Sequence, residues 1–302
     1  MSQDRPLLGI LLIIGFCILA PLGDAMAKLL GGSNGVIELV AYRFIIQSLI
    51  VVPIVLFART DMRASPRVLG FTFLRTSLHI ASTIMLFIAL RYIPLAETLA
   101  IVFIMPIIMM FLGWFFLNET VGPRRILAAG VAFFGTMLVI QPSFALVGMT
   151  ALLPIGVAFA FAVFMIITRV ISREVDPMAL QAFNGIVGVA LVVPLWFVGA
   201  HFGWTDFQIT TYVNNQWGII ILMGGIGTVA HLLMTWSLRF APSSTLAPMQ
   251  YLEIPIATVY GFLLFNDLPN GVAALGITIV ISSGLYIIYR ESRLASALQA
   301  AE

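Results

Sequence analysis

Charge is the scarcest commodity in this chain: Asp, Glu, Lys and Arg make up 9% of its 302 residues, where a soluble domain carries roughly 25%. So few charges cannot cover a water-facing surface. Cysteine is almost missing as well. Cys17 is the single one, which excludes an internal disulfide and leaves the thiol as a small buried apolar group. No His-x-x-Glu-His or Cys-x-x-Cys spacing occurs, no Walker loop and no Gly-x-Ser-x-Gly elbow. Zinc peptidases, dithiol redox proteins, nucleotide-driven pumps and serine hydrolases are thereby set aside, and neither a cofactor nor a metal is implied. No polar segment is long enough for a fused soluble module, so an enzyme domain or a nucleic-acid partner is not expected. The net charge of +2 points to no partner.

What is present is apolar. Hydrophobic residues reach 61% and the mean hydropathy is +1.09. Runs of about 20 apolar residues recur along the chain, the length that crosses a hydrocarbon core. Barrel strands would be half as long and would alternate in polarity. The expected fold class is therefore an all-α polytopic membrane protein. Ten transmembrane helices are expected, at Leu7–Leu30, Ile37–Phe57, Val68–Tyr92, Leu95–Leu117, Ile126–Ile140, Met149–Ile171, Met178–Ala200, Gly218–Phe240, Ser244–Phe265 and Gly271–Tyr289.

The second half echoes the first. Val51, Val52 and Pro53 return as Val192, Val193 and Pro194, an offset of 141. Leu90, Arg91, Pro94, Gly113 and Asn118 return as Leu238, Arg239, Pro242, Gly261 and Asn266, an offset of 148. The longer polar connection His201–Trp217 accounts for the change. Two repeats follow, residues 1–148 and 149–302, each with five spans. An odd number of spans inverts the second repeat, an arrangement typical of secondary transporters with a midplane site.

Arginine sets the orientation. With the N-terminus in the cytoplasm, the cytoplasmic connections hold Arg5, Arg59, Arg63, Arg67, Arg124, Arg125, Arg169, Arg173, Arg239, Arg290 and Arg293. The opposite side keeps Lys28 and Arg91. Arg5, the apolar run and Ala25-Met26-Ala27 imitate a signal peptide, but the run is long and Asp24 and Lys28 crowd the cleavage point, so an uncleaved helix is expected.

Several ionisable residues fall inside these spans, where each costs roughly 2.5–3.5 kcal/mol on insertion scales. They are Asp24, Arg43, Arg75, Glu97 and Glu253, with His79 and His231. Exposed to lipid they would be untenable, so they pair or line a wet cavity. Glu253 lies between Pro248 and Pro255, each of which removes a backbone donor and frees a carbonyl. Gln250 adds a polar group one turn away. The site reading is a cation or proton site; the alternative is a structural ion pair.

Arg43 and Gln47 share a face, and the repeat mate of Arg43 is Asn184. Arg43 either holds a substrate group or pairs with Glu38 or Asp24. Thr72, Arg75, His79 and Ser82 form one stripe, mirrored by Thr228, His231 and Thr235; a transmembrane His is as readily a packing residue as a relay. Asp24 and Lys28 are spaced for an i,i+4 ion pair. Trp236, Tyr251, Trp114 and Phe103 are candidate cavity aromatics. The glycines at 224, 225 and 227 suit close helix packing.

Several motifs carry a resemblance. These are Tyr42-Arg43-Phe44, the run Ala89–Glu97, Phe103-Ile104-Met105-Pro106 followed by Asn118-Glu119, and Tyr251-Leu252-Glu253-Ile254-Pro255 followed by Asn266-Asp267. With them the chain resembles the EamA-type branch of the drug/metabolite transporter superfamily along its whole length. Gly23–Lys28 with Glu38, Arg43 and Phe44 is similar to the branch of S-adenosylmethionine uptake carriers. The resemblance implies ten helices in two inverted repeats, a central cavity and alternating access in a bacterial inner membrane.

The expected function is therefore secondary transport of a small polar or zwitterionic metabolite. Glu253, Gln250 and Asp24 would meet a cation, Arg43 and Arg75 a carboxylate, and Trp236 and Tyr251 would offer aromatic faces. A larger heterocyclic substrate, a channel and an intramembrane enzyme are the alternatives, the last lacking a nucleophile or metal cluster. Proton or ion coupling and homodimerisation stay open. Reporter fusions after Phe57 and Leu117 are expected to read cytoplasmic, and those after Leu30, Ile140 and Gly203 external; an external reading at Phe57 would overturn the orientation.

Overall fold

The computed structural model describes residues 5–31, 35–93, 95–119, 121–140, 149, 152–212, 214–266 and 271–299. Those residues are helical apart from their connections. In chain order the helices are α1 (Pro6–Leu30), α2 (Val36–Phe57), α3 (Pro66–Tyr92), α4 (Leu95–Val102), α5 (Met105–Leu117) and α6 (Pro123–Ile140). There follow α7 (Leu152–Ile171), α8 (Pro177–His201), a 3-10 turn (Thr205–Phe207), α9 (Asn214–Phe240), α10 (Ser243–Gln250), α11 (Glu253–Phe265) and α12 (Gly271–Gln299). Six of them, α1, α2, α3, α7, α8 and α9, are long and apolar enough to cross a membrane. The chain is a multi-pass membrane protein.

Local chemistry sets the helix ends. Pro6, Pro66 and Pro177 open α1, α3 and α8, where the missing N–H would have had no partner. The Ser65 hydroxyl accepts from the Val68 N–H at 3.3 Å, and the Asp176 carboxylate from Met178 N–H at 2.8 Å.

Two expected spans are broken rather than continuous. The run Leu95–Leu117 divides into α4 and α5 at Phe103-Ile104, and Ser244–Phe265 divides into α10 and α11 at Tyr251-Leu252. Pro106 and Pro255 stand in the first turns of α5 and α11, where a proline costs no hydrogen bond. The bounds of the two broken pairs differ throughout by 148 residues, the offset of the sequence repeat. Both pairs also end alike, on Asn118 and Asn266 in left-handed backbone with φ of 51° and 59°. Pro94 and Asp267 lie outside the described residues, as do the side chains of Glu97 and Pro248.

The packing exchanges partners across the halves. Helix α1 runs against α9, α3 against α7, α2 against α8 and α6 against α12. Glycines make the closest approaches possible. A Cβ on Gly188 of α8 would sit 2.2 Å from the Phe44 ring of α2, and one on Gly224 of α9 would sit 2.7 Å from Ile46. The glycine run of α9 is therefore a packing surface, as its sequence suggested.

The contrast among glycines is testable. Gly188→Ala is expected to lower stability by about 1–3 kcal/mol through overpacking. Gly70→Ala, with nothing within 4 Å of the added methyl, is expected to be neutral or to gain up to about 1 kcal/mol from helix propensity. Thermal unfolding of the two variants in detergent checks both, and equal loss would show that the α2–α8 contact is not limiting.

Candidate functional site

Three features lie in sequence along the bundle axis: an open vestibule, a small polar cavity and a sealed far end. The vestibule occupies about 650 Å³ where the C-terminal ends of α1 and α3 meet the start of α2. Lys28, Gly31, Phe87, Leu90, Arg91 and Asp206 are among its walls. Arg91 pairs with Asp206 and donates to the Gly31 carbonyl at 3.0 Å, which fastens the 3-10 turn to the helix ends. Lys28 donates to the Ile93 carbonyl at 3.2 Å and stands 5.2 Å from the Phe265 ring. Nearby, Glu38 accepts from the Thr210 N–H at 3.0 Å. Burial and then the Glu38 charge push the Tyr212 phenol above its ordinary range.

One to two turns deeper lies a cavity of about 60 Å³. Asp24, Arg43, His79, Ser82, Thr83, His231 and Glu253 supply its polar wall, and Phe16, Phe103 and Phe161 its aromatic wall. Glu253 is the first residue of α11, so the break after Gln250 places its carboxylate at the positive end of that helix's dipole. Glu253 is 7% exposed and its Oε1 has no hydrogen-bond partner. The Cys17 side chain lies against it, with Sγ 3.7 Å from the Met249 carbonyl.

Arg43 stands between Asp24, at 3.8 Å, and His231 Nε2, at 3.0 Å. Of the two expected acid partners it takes Asp24, because Glu38 is turned to the 210 loop. The ion pair expected between Asp24 and Lys28 is not the one formed; Asp24 faces inward to Arg43. Gly227 makes this possible, since a Cβ there would meet the guanidinium at 3.2–3.3 Å.

Below Arg43 the two imidazoles of His79 and His231 lie with ring centroids 4.3 Å apart. Phe16, Phe161 and Phe164 surround them at 4.9–6.4 Å. This plug forms the floor of the cavity.

The far end is closed. The Glu119 carboxylate accepts from Ser243 Oγ at 2.7 Å and from the Ser243 and Ser244 N–H groups at 3.2 and 3.0 Å, capping α10. Its other contact is Arg169 Nε at 3.5 Å. Arg169 in turn donates to the carbonyls of Leu238 and Arg239 at the end of α9, and Arg239 faces Asp176 at 3.8 Å. One buried cluster thus ties together the ends of α5, α7 and α9 and the start of α10.

Of the nine residues expected at the site, the structure gathers Asp24, Arg43, His79, His231 and Glu253 around one cavity. The other four stand apart from it. Gln250 is buried between sulfurs, with Nε2 3.1 Å from Met165 Sδ. Tyr251 forms the α10–α11 break and packs on Phe103 at 5.6 Å. Trp236 is half-buried on α9 outside the cavity wall; Trp114, a candidate aromatic beyond the nine, is exposed on α5. Arg75 lies beyond the histidine floor. Phe16 and Phe161 are cavity residues that nothing in the sequence separates from the other phenylalanines, of which there are 23 in all. Among the described residues no cluster of His, Cys, Asp or Glu could hold a metal ion.

A multi-pass helical bundle with an ionisable cavity between a vestibule and a seal defines a membrane-transport class of protein. The profile of the EamA-like transporter family matches residues 7–141 and again 148–290, so the chain belongs to that family. It is similar to an S-adenosylmethionine uptake transporter of Rickettsia bellii, with 24% identity over 281 residues covering 90% of each chain. It is also similar to a riboflavin transporter of Brucella anthropi, with 25% identity over 223 residues covering 74% of this chain and 78% of the other. One solved crystal structure, 19% identical, shares the fold at a TM-score of 0.72 over 96% of this chain and 98% of its own.

The seal yields a prediction. Glu119→Ala removes the Glu119–Arg169 ion pair and the α10 cap, and breaking such a buried pair costs about 3–5 kcal/mol. Glu119→Gln keeps acceptor capacity and is expected to lose clearly less. A thermal-unfolding series measures the difference, and equal loss in the two variants would remove the charge from the account.

Proposed function

We propose that the protein is a secondary carrier of the bacterial inner membrane that moves a zwitterionic metabolite by alternating access. The cationic group of that metabolite is an amine or a sulfonium. The observation that carries the reading is the pair of carboxylates, Asp24 and Glu253, on one buried cavity beneath an open vestibule while the opposite end is sealed. A buried polar cavity with a vestibule over one end and an ion-paired cluster at the other is consistent with one state of a rocking carrier. Ten spans in two inverted repeats, residues 1–148 and 149–302, fit the recurrence of the broken helices at one offset and the exchanged packing of α1 with α9 and α3 with α7. Both termini would lie in the cytoplasm, which puts the vestibule outside and the Glu119–Arg169 seal inside.

In this reading Glu253, whose Oε1 has no partner, receives the cation, and the Phe16, Phe103 and Phe161 faces stack on a ring or meet the charge. Asp24 and Arg43 hold each other until the substrate competes for them. S-adenosylmethionine combines a sulfonium, an ammonium, a carboxylate and a purine, and relatives of that name align with nine-tenths of the chain. A neutral flavin is the second reading, favoured by the aromatic wall and by the riboflavin relatives; the two carboxylates could accept from its hydroxyl and imide donors but would have no charge to meet.

Purified protein in proteoliposomes is expected to show counterflow of S-adenosylmethionine with stimulation by substrate on the trans side. Glu253→Gln is expected to lower that exchange about tenfold or more with monodispersity unchanged, because the charge-assisted contact is lost. Riboflavin exchange without S-adenosylmethionine exchange would select the second reading. Flux without trans-stimulation would indicate a channel.

A further inference from the structure

Arg75 is buried completely, and the carrier mechanism above does not use it. Its Nε donates to Thr168 Oγ1 at 2.7 Å and its guanidinium lies 4.7 Å over the Phe164 ring. Both terminal nitrogens, Nη1 and Nη2, are left without a hydrogen-bond partner, and no carboxylate among the described residues stands within ion-pair reach. A buried guanidinium with an empty fork is an expensive arrangement for packing alone.

One residue further along α3, Thr76 leads to a second set of unsatisfied buried groups, on α8. There both amide atoms of Gln181 and Asn184 Nδ2 are buried and unpartnered. Asn184 is tied to α3 through Thr76 Oγ1 at 3.1 Å, and Gln181 to α2 through Gln47, which donates to its backbone carbonyl at 2.9 Å. Four helices, two from each half of the chain, are thus linked at this level, where α3 and α8 each carry unsatisfied polar groups.

Its position follows from the helix register. On α3 the vestibule takes Arg91, Leu90 and Phe87, the cavity takes Leu86, Thr83, Ser82 and His79, and Arg75 comes one turn later, about 6 Å further along the axis. Its partner Thr168 adjoins Arg169 of the seal. Arg75 thus lies between the histidine plug and the closed end.

We propose that Arg75, with the side-chain amides of Gln181 and Asn184, forms a second binding position for a carboxylate, filled only once the His79–His231 plug has opened. A guanidinium fork matches a carboxylate with two parallel N–H···O bonds, whereas the buried Arg43 and Arg169 are already held by Asp24 and Glu119. The proposal rests on the carrier reading and divides its site into two stations. The cation is met first, at Glu253, and the carboxylate second, at Arg75.

The test compares wild type with Arg75→Gln, using Arg75→Lys and Asn184→Leu as companions should the first variant fold poorly. Equilibrium binding of S-adenosylmethionine is expected to change less than about twofold in Arg75→Gln, while exchange in proteoliposomes falls about tenfold or more. The decarboxylated analogue is expected to be exchanged at the same rate by both proteins. Free acetate, against chloride at equal ionic strength, is expected to raise the unfolding midpoint of wild type by about 2 °C or more and that of Arg75→Gln not at all. Binding weakened as much as exchange would place Arg75 in the first station and overturn the proposal. Loss of neither the acetate effect nor the discrimination between the two substrates would also overturn it. Absence of S-adenosylmethionine exchange in wild type, with the acetate effect present and Arg75-dependent, would sink the substrate reading and leave the carboxylate site standing.

Discussion

An ionised side chain persists in a hydrocarbon layer only where the protein supplies what water would have supplied. Desolvating one charge costs several kcal/mol, and the cost is met by a counter-charge, a dipole or a set of N–H and C=O groups. That constraint organises the interior. Arg43 is met by Asp24 and His231, Arg169 by Glu119 and two helix-end carbonyls, and Arg75 by a hydroxyl and an aromatic face. Each arrangement draws at least one partner from a helix distant in sequence, so meeting the charges also fixes how the helices pack. The degree of satisfaction differs along the axis. The seal is saturated, the cavity is half satisfied, and the groups beyond the plug are the least satisfied of the three.

The broken helices answer the same constraint on the backbone. A continuous helix at the position of Glu253 would bury a carboxylate beside peptide groups already bonded to each other. Breaking it at Tyr251-Leu252 makes Glu253 the first residue of a new helix, at the positive end of its dipole. The corresponding break at Phe103-Ile104 places Met105 where Glu253 stands in the other half. The geometry is shared by the halves, while the charge belongs to one of them. This asymmetry within a symmetric frame lets one cavity prefer a cation.

Composition made the membrane class legible, and the spacing of Asp24, Arg43, His79, His231 and Glu253 along apolar runs was enough to group residues that the fold brings to one cavity. Depth in a span is readable from sequence because a helix converts residue number into height. Azimuth is harder. Gln250 and Trp236 stand at suitable heights but on faces turned from the cavity, and only the packing of α9 and α10 decides that. The breaks in α4–α5 and α10–α11 are half visible in sequence: Pro255 signals a lost backbone donor, but the apolar runs Leu95–Leu117 and Ser244–Phe265 read as single continuous spans. Phe16 and Phe161 carry no signal at all, since a phenylalanine facing lipid and one facing a cavity are the same letter in an apolar run.

The solitary thiol has a practical side. Cys17 is fully buried against the Met249 carbonyl, and no other cysteine exists in the chain. The native sequence is therefore a ready background for site-directed spin or fluorophore labelling, since the resident sulfur is screened from reagents while added ones are not. Distances across the bundle can then be followed without first replacing a residue that touches Glu253.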